Sequence, residues 1–348
     1  MVQKCLLVIG CGDVARRALP HWLGRYEVAA LARAPDPALA ASGVRLVVGD
    51  LDQPGTLAPL AGAAELIVHA APPPQTGTQD VRTPDPALAA RGGRLFTGNL
   101  DQPETLAPLA GAADLIVHAA PPPGTGPQDV RTRNLLAALT RPQDVRAQKG
   151  GAMLPQRVVY ISTSGVYGDC GGDYVEESRP VNPQTDRAGR RVDAEAVLSR
   201  WCGERGIVLV ILRVPGIYAA DRLPLAQLER GTPVLAAEDD VYTNHVHADD
   251  LAAVLTVGLS RGEGVYNASD DSEMKMGEYF DLVADRAGLP RPPRVRRAEA
   301  AGRIPPVLLS FMSESRRLVN RRMKAALGIR LCYPTVFDGV PHAVALHG

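Results

Sequence analysis

The sequence has no net charge, no long apolar run and no paired cysteine motif. Its 38 basic and 38 acidic residues balance, so no overall field would attract nucleic acid or an anionic membrane. No apolar segment approaches the length of a membrane span, and the N-terminal residues do not read as a secretory signal. The five cysteines are scattered and without a C-x-x-C pair, which favours reduced thiols over disulfides or zinc ligands. These absences predict a cytoplasmic protein that holds no metal.

An apolar strand that runs directly into a glycine turn opens the chain. A run without polar alternation is typical of a parallel strand buried on both faces. In the turn, Gly10 would allow a sharp bend, Gly12 would leave room for a pyrophosphate, and Ala15 would let the following helix pack closely. The alternative is an ordinary strand-to-helix turn, but a free helix N-terminus here would also suit phosphate groups. The predicted dinucleotide contacts are Gly10, Gly12, Asp13 and Val14.

A long segment of the chain is duplicated. Residues 35–83 recur at 84–132, with about 40 of 49 positions identical. Solenoid repeats recur several times and diverge, so two near-identical copies indicate a recent tandem duplication in which one copy is surplus. A 49-residue insertion is tolerable at the surface because loop-closure entropy grows slowly with length. Either copy could supply the strands, and we favour a hybrid with Val44–Val48 from the first copy and Leu115–Ala120 from the second.

Strands and helices alternate along the first two thirds of the chain. Further strands are predicted over 27–31, 157–162 and 207–212, and a helix over 186–204 with Val192, Ala196, Val197 and Trp201 on its apolar side. This alternation predicts an α/β fold, a Rossmann-type doubly wound parallel sheet. Beyond about residue 220 the pattern changes to isolated helices and short strands. We therefore expect a dinucleotide-binding domain over 1–220 and a smaller substrate-capping lobe over 221–348.

Short motifs that follow the Gly10 turn occur in a characteristic order. They read GDL at 49–51, VHAA at 117–120, ISTSGVYG at 161–168, LRVPGIY at 212–218, HVHADD at 245–250 and VYNA at 265–268. With this set the sequence resembles the extended or atypical short-chain dehydrogenase/reductases, the NAD(P)-dependent epimerase/dehydratase group. Within that group it is most similar to the branch of predicted nucleoside-diphosphate-sugar epimerases. The resemblance covers nearly the whole chain apart from one repeat copy.

The resemblance implies a role for each matching position. Asp50, or Asn99 from the second copy, would lie near the adenine, and Thr163 near the reacting carbon. The substrate would be a nucleotide sugar or a similar polar carbonyl compound, and the protein would form a homodimer. The implied cofactor contacts beyond the glycine turn are Asp50, Leu51, His118, Ala119, Ala120, Pro215 and Ile217.

The sequence departs from the family pattern on the predicted long helix. The family places a tyrosine and a lysine four residues apart there, and these positions hold Arg187 and Arg191. A guanidinium has no proton to exchange at neutral pH, but it binds phosphate or carboxylate well. The two arginines could bind an anionic substrate group, or Arg191 could hold the nicotinamide ribose. Alternatively, they could form an exposed basic face with Arg190. The candidate catalytic residues are Thr163, Ser164, Tyr167, Arg187 and Arg191.

This departure keeps two functions open. One is an NADP-dependent oxidoreductase or epimerase, in which another group moves the proton. The other is a catalytically inactive dinucleotide-binding protein that acts as a sensor or a scaffold. The glycine turn supports both functions. The loss of the tyrosine and lysine favours the second, whereas the retained Thr163 at a strand end and the capping lobe favour the first, and we favour the enzyme.

Cofactor choice depends on the residue after the second strand. An acidic side chain at that position would bind the ribose 2′-hydroxyl of NAD, whereas an arginine accommodates a 2′-phosphate. Arg33 occupies the position, and no carboxylate precedes Asp36. The sequence therefore favours NADP, with NAD as the second choice.

A histidine-rich motif near residue 245 resembles a metal site at first inspection. His245, His247 and Asp249 alternate, and alternate residues of a strand share one face. However, a helix is predicted to begin at Asp249 and Asp250, and either carboxylate would serve as its N-terminal cap. We therefore expect a structural role for this motif.

Overall fold

The computed structural model describes residues 4–10, 12–32, 45–48, 100–103, 106, 113–140 and 154–342. The chain divides into two compact units that interleave along the sequence. The first comprises the described parts of Met1–Ile161, Asp193–Ile211 and Leu255–Gly264, and the second those of Ser162–Val192, Leu212–Val254 and Val265–Gly348. The dinucleotide-binding domain predicted over 1–220 and the substrate-capping lobe predicted over 221–348 stay predictions.

The described strands are short at the C-terminal end of the chain and longer at the N-terminal end. In chain order they are β1 (Cys5–Ile9), β2 (Glu27–Ala32), β3 (Arg45–Val48), β4 (Leu115–His118), β5 (Arg157–Thr163), β6 (Tyr174–Val175), β7 (Val208–Val214), β8 (Gly216–Tyr218), β9 (Val234–Leu235), β10 (Tyr242–Thr243), β11 (His245–His247), β12 (Gly264–Asn267), β13 (Met274–Lys275), β14 (Arg294–Val295) and β15 (Arg317–Leu318).

The described helices alternate with these strands. They are α1 (Asp13–Leu23), α2 (Val130–Thr140), α3 (Asp186–Gly203), α4 (Leu225–Glu229), α5 (Ala248–Gly258), α6 (Met276–Ala287), α7 (Pro306–Phe311), α8 (Arg321–Leu327) and α9 (Val336–Gly339). None of the helices in the described ranges is both long enough and apolar enough to cross a membrane.

A seven-stranded sheet has the order β12-β7-β5-β4-β1-β2-β3. β1 pairs in parallel with β2 on one side and β4 on the other, and the pairs β2/β3 and β4/β5 are also parallel. Leu6, Leu7, Val8 and Ile9 of β1 are fully buried, as expected for an apolar strand covered on both faces. The strand order reverses at β1, which makes the ends of β1 and β4 the switch point of a doubly wound sheet. The predicted fold class is confirmed.

Helix α1 packs one face against the core of the first unit. Its buried residues are Val14, Ala15, Ala18, Leu19 and Trp22, a spacing that places them on one side of a 3.6-residue helix. Asp13 and Arg17 form an ion pair on the partly exposed side, with 3.0 Å between Nε and Oδ1. The helix predicted after the glycine turn is therefore confirmed.

The sheet draws one strand from each copy of the duplicated segment. β3 lies in the first copy and pairs with β2, whereas β4 lies in the second copy and pairs with β1. The second copy then continues into α2, where Asn134 donates through Nδ2 to the carbonyl oxygen of Leu100 at 2.6 Å. The hybrid arrangement is confirmed for these strands, and the counterpart strands lie outside the described residues.

Helix α3 occupies the predicted range but buries a different stripe. Ala188, Ala194, Leu198 and Trp201 are buried, whereas Ala196 is exposed and Val192 and Val197 are half-buried. The predicted stripe was therefore wrong at Ala196, whereas Trp201 is buried and Val192 packs against the apolar cluster around Tyr167. The buried set recurs at i, i+4 and i+7 from Ala194, which is the face that this helix turns to the protein interior.

The second unit has its own core and several small sheets. β8 pairs in parallel with β11, β9 with β14 and β6 with β15, whereas β10 and β13 are antiparallel. Apolar residues from α6 and the strands around it form the core, including Phe280, Val283, Val234, Leu235 and Met312. This arrangement holds the short strands of the unit in place.

We expect a protein that lacks residues 51–99 to fold. The sequence LDQP occurs at both 51–54 and 100–103, so removing 51–99 and removing Gly55–Pro103 yield the same polypeptide. This variant keeps every residue that the structure describes and discards backbone whose ordering costs entropy. Its melting temperature, measured by circular dichroism, should be no lower than that of the parent.

The matched control removes Gly55–Thr105, which is 51 residues and breaks the 49-residue register. This second variant should fold poorly. Failure of the in-register variant to fold would mean that both copies are integral to the sheet.

Candidate functional site

The glycine turn after β1 brings two backbone segments into close approach. Gly10 has φ +87°, and a Cβ atom there would lie 2.9 Å from the backbone nitrogen of Ala120. The amide of Ala119 donates to the carbonyl oxygen of Ile9 at 2.8 Å. Both the positive φ and the contact require glycine at this position.

Neither the backbone conformation at position 12 nor the neighbouring described residues require a glycine there. Gly12 has φ −77° at the N-terminal end of α1, and a Cβ atom there would meet no atom of the described residues within 4 Å. Open space therefore adjoins a helix N-terminus whose first amide groups have no intrahelical partner. This arrangement fits the pyrophosphate of a dinucleotide.

A buried hydrogen-bond chain fixes the end of β4. The hydroxyl of Thr132 donates to Asp129 Oδ2 at 3.0 Å and lies 2.8 Å from His118 Nε2. Because the hydroxyl proton points to the carboxylate, Thr132 Oγ1 accepts from His118, whose Nε2 carries the proton. The His118 side chain thus binds α2, which leaves the backbone of Ala119 and Ala120 beside Gly10.

Other predicted cofactor residues lie elsewhere. Arg33, Asp50, Asn99 and Leu51 lie outside the described residues, so their roles stay predictions. Pro215 and Ile217 belong to the second unit.

The second unit contains a cavity of about 440 Å³. Its lining includes five residues predicted to form the site: Thr163, Ser164, Arg187, Pro215 and Ile217. Sequence reasoning did not select several others as site residues, among them Arg222, His245, Tyr279, Phe311 and Glu314. The sequence offers little signal for these, because they come from separate segments that only the fold brings together.

The end of β5 presents hydroxyl groups to this cavity. Thr163 Oγ1 accepts a hydrogen bond from the amide of Gly165 at 3.2 Å and caps the short 3₁₀ turn Ser164–Tyr167. The Thr163 hydroxyl proton is directed to no acceptor among the described residues, so it is available to a ligand.

Tyr167 and Arg191 do not line the cavity. The Tyr167 hydroxyl donates to Asn267 Oδ1 at 2.8 Å, and its ring lies 4.7 Å from the Arg213 guanidinium. Asn267 in turn donates through Nδ2 to the carbonyl of Val175 at 2.9 Å. Tyr167 is therefore part of a buried structural network, and Arg191 is half-buried along α3.

The histidines of β11 pack among aromatic rings. The His245 ring lies 4.3 Å from the Tyr279 ring, and the His247 ring 3.8 Å from the Tyr333 ring. Burial lowers the pKa of His245 to about 3, so its imidazole is neutral at physiological pH. Nowhere in the described ranges do three or more His, Cys, Asp or Glu side chains group so that they could hold a metal ion.

The predicted cap at Asp249 or Asp250 was wrong. α5 begins at Ala248, so both carboxylates lie inside its first turn, and His247 Nδ1 accepts from the Asp249 amide at 3.3 Å. Asp250 instead accepts from the amides of Cys332 and Tyr333 at 2.8 and 2.9 Å. Its carboxylate therefore anchors a distant loop.

A buried carboxyl group lies close to the cavity wall. Asp270 Oδ1 accepts from the Ser272 amide at 2.9 Å, whereas Oδ2 has no hydrogen-bond partner in the structure. Burial raises the pKa of Asp270 to about 7. Burial, followed by the Asp270 charge, also raises the pKa of the phenols of Tyr218 and Tyr279, which line the cavity.

The family model for the NAD dependent epimerase/dehydratase family matches residues 6–268. No curated protein matches the sequence. A functionally unknown conserved protein from Silicibacter pomeroyi is 26% identical, with a TM-score of 0.64 over 97% of this chain and 96% of that chain.

Two more distant structures share the fold. UDP-glucose 4-epimerase from Thermotoga maritima, solved with UDP-glucose, is 13% identical with a TM-score of 0.63. UDP-glucuronic acid 4-epimerase from Bacillus cereus, in complex with NAD, is 15% identical with a TM-score of 0.62. Each similarity covers 97% of both chains.

Replacing the buried carboxyl should change how stability depends on pH. The pKa of Asp270 is raised from 3.8 to about 7, so the folded state favours the neutral acid and loses that stability as pH rises toward and through 7. Asp270→Asn keeps a neutral group of the same shape. Relative to the parent, it should gain about 2 kcal/mol in free energy of unfolding between pH 5 and pH 8.

Urea denaturation at both pH values measures this difference. Glu229→Gln, which removes an exposed carboxylate at the end of α4, controls for the loss of a negative charge. A stability gap between Asp270→Asn and the parent that stays constant with pH would show that Asp270 is ionised in the folded state.

Proposed function

The chain belongs to the NAD-dependent epimerase/dehydratase family, and we propose that it transfers a hydride between a nicotinamide dinucleotide and a nucleotide sugar or similar polar carbonyl compound. The glycine turn carries the proposal. Gly10 is held against Ala119 and Ala120 with a positive φ, and Gly12 leaves open space at the N-terminus of α1. This combination supports a dinucleotide rather than an ordinary turn.

The bound dinucleotide would supply the hydride chemistry. The first amides of α1 would bind its pyrophosphate, helped by the partial positive charge of the helix end. Gly10 would keep the backbone of β1 and β4 close enough to form the floor of this site. Asp13 would add an unfavourable negative charge, but its ion pair with Arg17 offsets that charge.

The cavity of the second unit is the proposed substrate site. Its volume of about 440 Å³ lies in the range of small-molecule sites, and its lining combines apolar side chains with polar and charged ones. The hydroxyls of Thr163 and Ser164 are the proposed proton-handling groups. Arg187 would bind and orient the substrate, because a guanidinium does not exchange a proton at neutral pH.

A second candidate function is a catalytically inactive sensor or scaffold that binds a dinucleotide. Two observations favour it. Arginines occupy both positions where the family has tyrosine and lysine, and the Tyr167 hydroxyl is committed to Asn267. We also propose a homodimer through α2 and α3, although Trp201 is buried within one chain and donates to Thr140 Oγ1 at 2.9 Å.

Hydride exchange separates the two candidate functions. With stereospecifically labelled NADPH and a panel of keto-sugar nucleotides, an active enzyme should transfer label from the cofactor to the carbonyl carbon of the sugar, leaving NADP+ and the labelled alcohol, as measured by mass spectrometry. Thr163→Val, which removes the hydroxyl and keeps the shape, should reduce the rate by about 10²-fold or more. Cofactor binding without any label transfer would favour the sensor.

We expect tighter binding of NADPH than of NADH. The reason is Arg33, which replaces the acidic ribose ligand and would pair with the 2′-phosphate. Arg33→Asp should erase or reverse the preference in a fluorescence titration. Equal affinities of the parent for the two cofactors would contradict the NADP assignment.

Gly12→Ala tests whether the dinucleotide binds at the N-terminus of α1. Its Cβ would contact no protein atom within 4 Å, so the melting temperature should not change. Both cofactors should nevertheless bind more weakly, because the methyl group would occupy the space proposed for the pyrophosphate.

A further inference from the structure

Positive charge predominates in the lining of the cavity in the second unit. Its charged residues are Arg187, Arg222, Arg316 and Glu314. Glu314 and Arg316 form an ion pair of 2.8 Å between Oε2 and Nη1, and both side chains are about nine-tenths buried. Arg316 also donates to the carbonyl of Gly168 at 2.7 Å. The only glutamate of the lining is therefore neutralised within its own pair and does not balance Arg187.

Arg187 is positioned by a capped helix turn and an aromatic ring. Thr185 Oγ1 accepts from the Ala188 amide at 3.2 Å, which fixes the first turn of α3. The Arg187 guanidinium carbon lies 4.7 Å from the centroid of the Phe311 ring. Across the described ranges Arg187 forms no hydrogen bond or ion pair.

Arg187 is exposed, and its contact with Phe311 leaves its N–H donors without a protein acceptor among the described residues. A guanidinium on an aromatic ring interacts through its face, whereas its five N–H donors lie in its plane and point outward. Planar, paired donors match the two oxygens of a carboxylate or a phosphate. The contact with Arg187 therefore gives a role to Phe311, a cavity-lining residue that is 44% exposed.

We propose that Arg187 is the oxyanion-binding residue of this cavity, and that the ligand carries a carboxylate or phosphate joined to a less polar body. Apolar residues of the same lining, Met276, Phe280 and Leu308, would contact that body. The proposal rests on the proposed function in that the ligand is taken to be the substrate. The proposal therefore predicts that the part of the substrate bound near the first turn of α3 carries the negative charge.

The oxyanion would lie on the same wall as the hydroxyl of Thr163. A Cβ atom built on Gly165 would be 3.5 Å from Thr163 Oγ1 and 3.8 Å from the Ala188 side chain. The end of β5 and the first turn of α3 therefore meet at Gly165. Arg187 would orient the acidic group next to the hydroxyl proposed to handle the proton.

Calorimetric titration of the full chain tests this assignment with two probes. UDP-glucuronate and UDP-glucose share a diphosphate and differ in a carboxylate on the sugar. Arg187→Gln should weaken binding by about 10- to 100-fold, the range for a lost charge-assisted pair. Weakening of UDP-glucuronate alone identifies a carboxylate ligand, and equal weakening of both probes identifies the phosphate.

Three further variants sharpen the result. Arg187→Lys keeps the charge without the paired donors and should be intermediate, and Phe311→Leu should weaken binding because the guanidinium loses its support. Arg200→Gln, an exposed arginine of α3 outside the lining, should bind both probes as the parent does.

Unchanged binding by Arg187→Gln, or no binding of either probe by the parent, would overturn the proposal. Hydride exchange is measured separately. Arg187-dependent binding without label transfer would count against the proposed enzyme and leave the oxyanion site intact, whereas label transfer unaffected by Arg187→Gln would do the reverse.

Discussion

The contact between the ends of β1 and β4 is the constraint on which the first unit depends. Gly10 adopts a positive φ and lies so close to Ala120 that no side chain would fit. This contact keeps adjacent parallel strands together where the strand order reverses, and it places the N-terminus of α1 beside open space. A larger residue at Gly10 would push the end of β1 away from the end of β4 and would also displace the N-terminus of α1. The fold and the proposed dinucleotide site therefore depend on the same contact.

The duplication shows that the sheet forms despite the extra chain between β3 and β4. β3 and β4 come from different copies, and their pairing partners, β2 and β1, lie upstream of the duplication. The extra residues lie between the edge strand β3 and the interior strand β4, and the closure cost of such an insertion grows only logarithmically with length. The duplication has therefore left the central hydrogen-bond pattern intact.

In the second unit, arginines replace the tyrosine and lysine of the family pattern, and one of these arginines lines the cavity. The positions at which the family holds its proton-transfer pair carry arginines, and one of these, Arg187, stacks on Phe311 in the cavity lining. Nearby, burial keeps His245 neutral and raises the pKa of Asp270 to about 7. The cavity lining therefore combines a neutral imidazole with an arginine that has no protein hydrogen-bond partner among the described residues.

Local sequence was sufficient for the glycine turn, the helix that follows it and the parallel, doubly wound class of the sheet, because apolar periodicity and a glycine-specific turn act over a few residues. It also revealed Arg187 and Arg191, since a motif with fixed spacing exposes a substitution. The two repeat copies have nearly equal propensity, so sequence only favoured the hybrid of the two, and the pairing of β3 with β2 and of β4 with β1 decided it. Nor could sequence identify the burial of Asp270, the packing of Tyr279 on His245 or the meeting of Arg187 with Phe311. These features depend on segments far apart in the chain, whose proximity arises from tertiary packing and from no local preference.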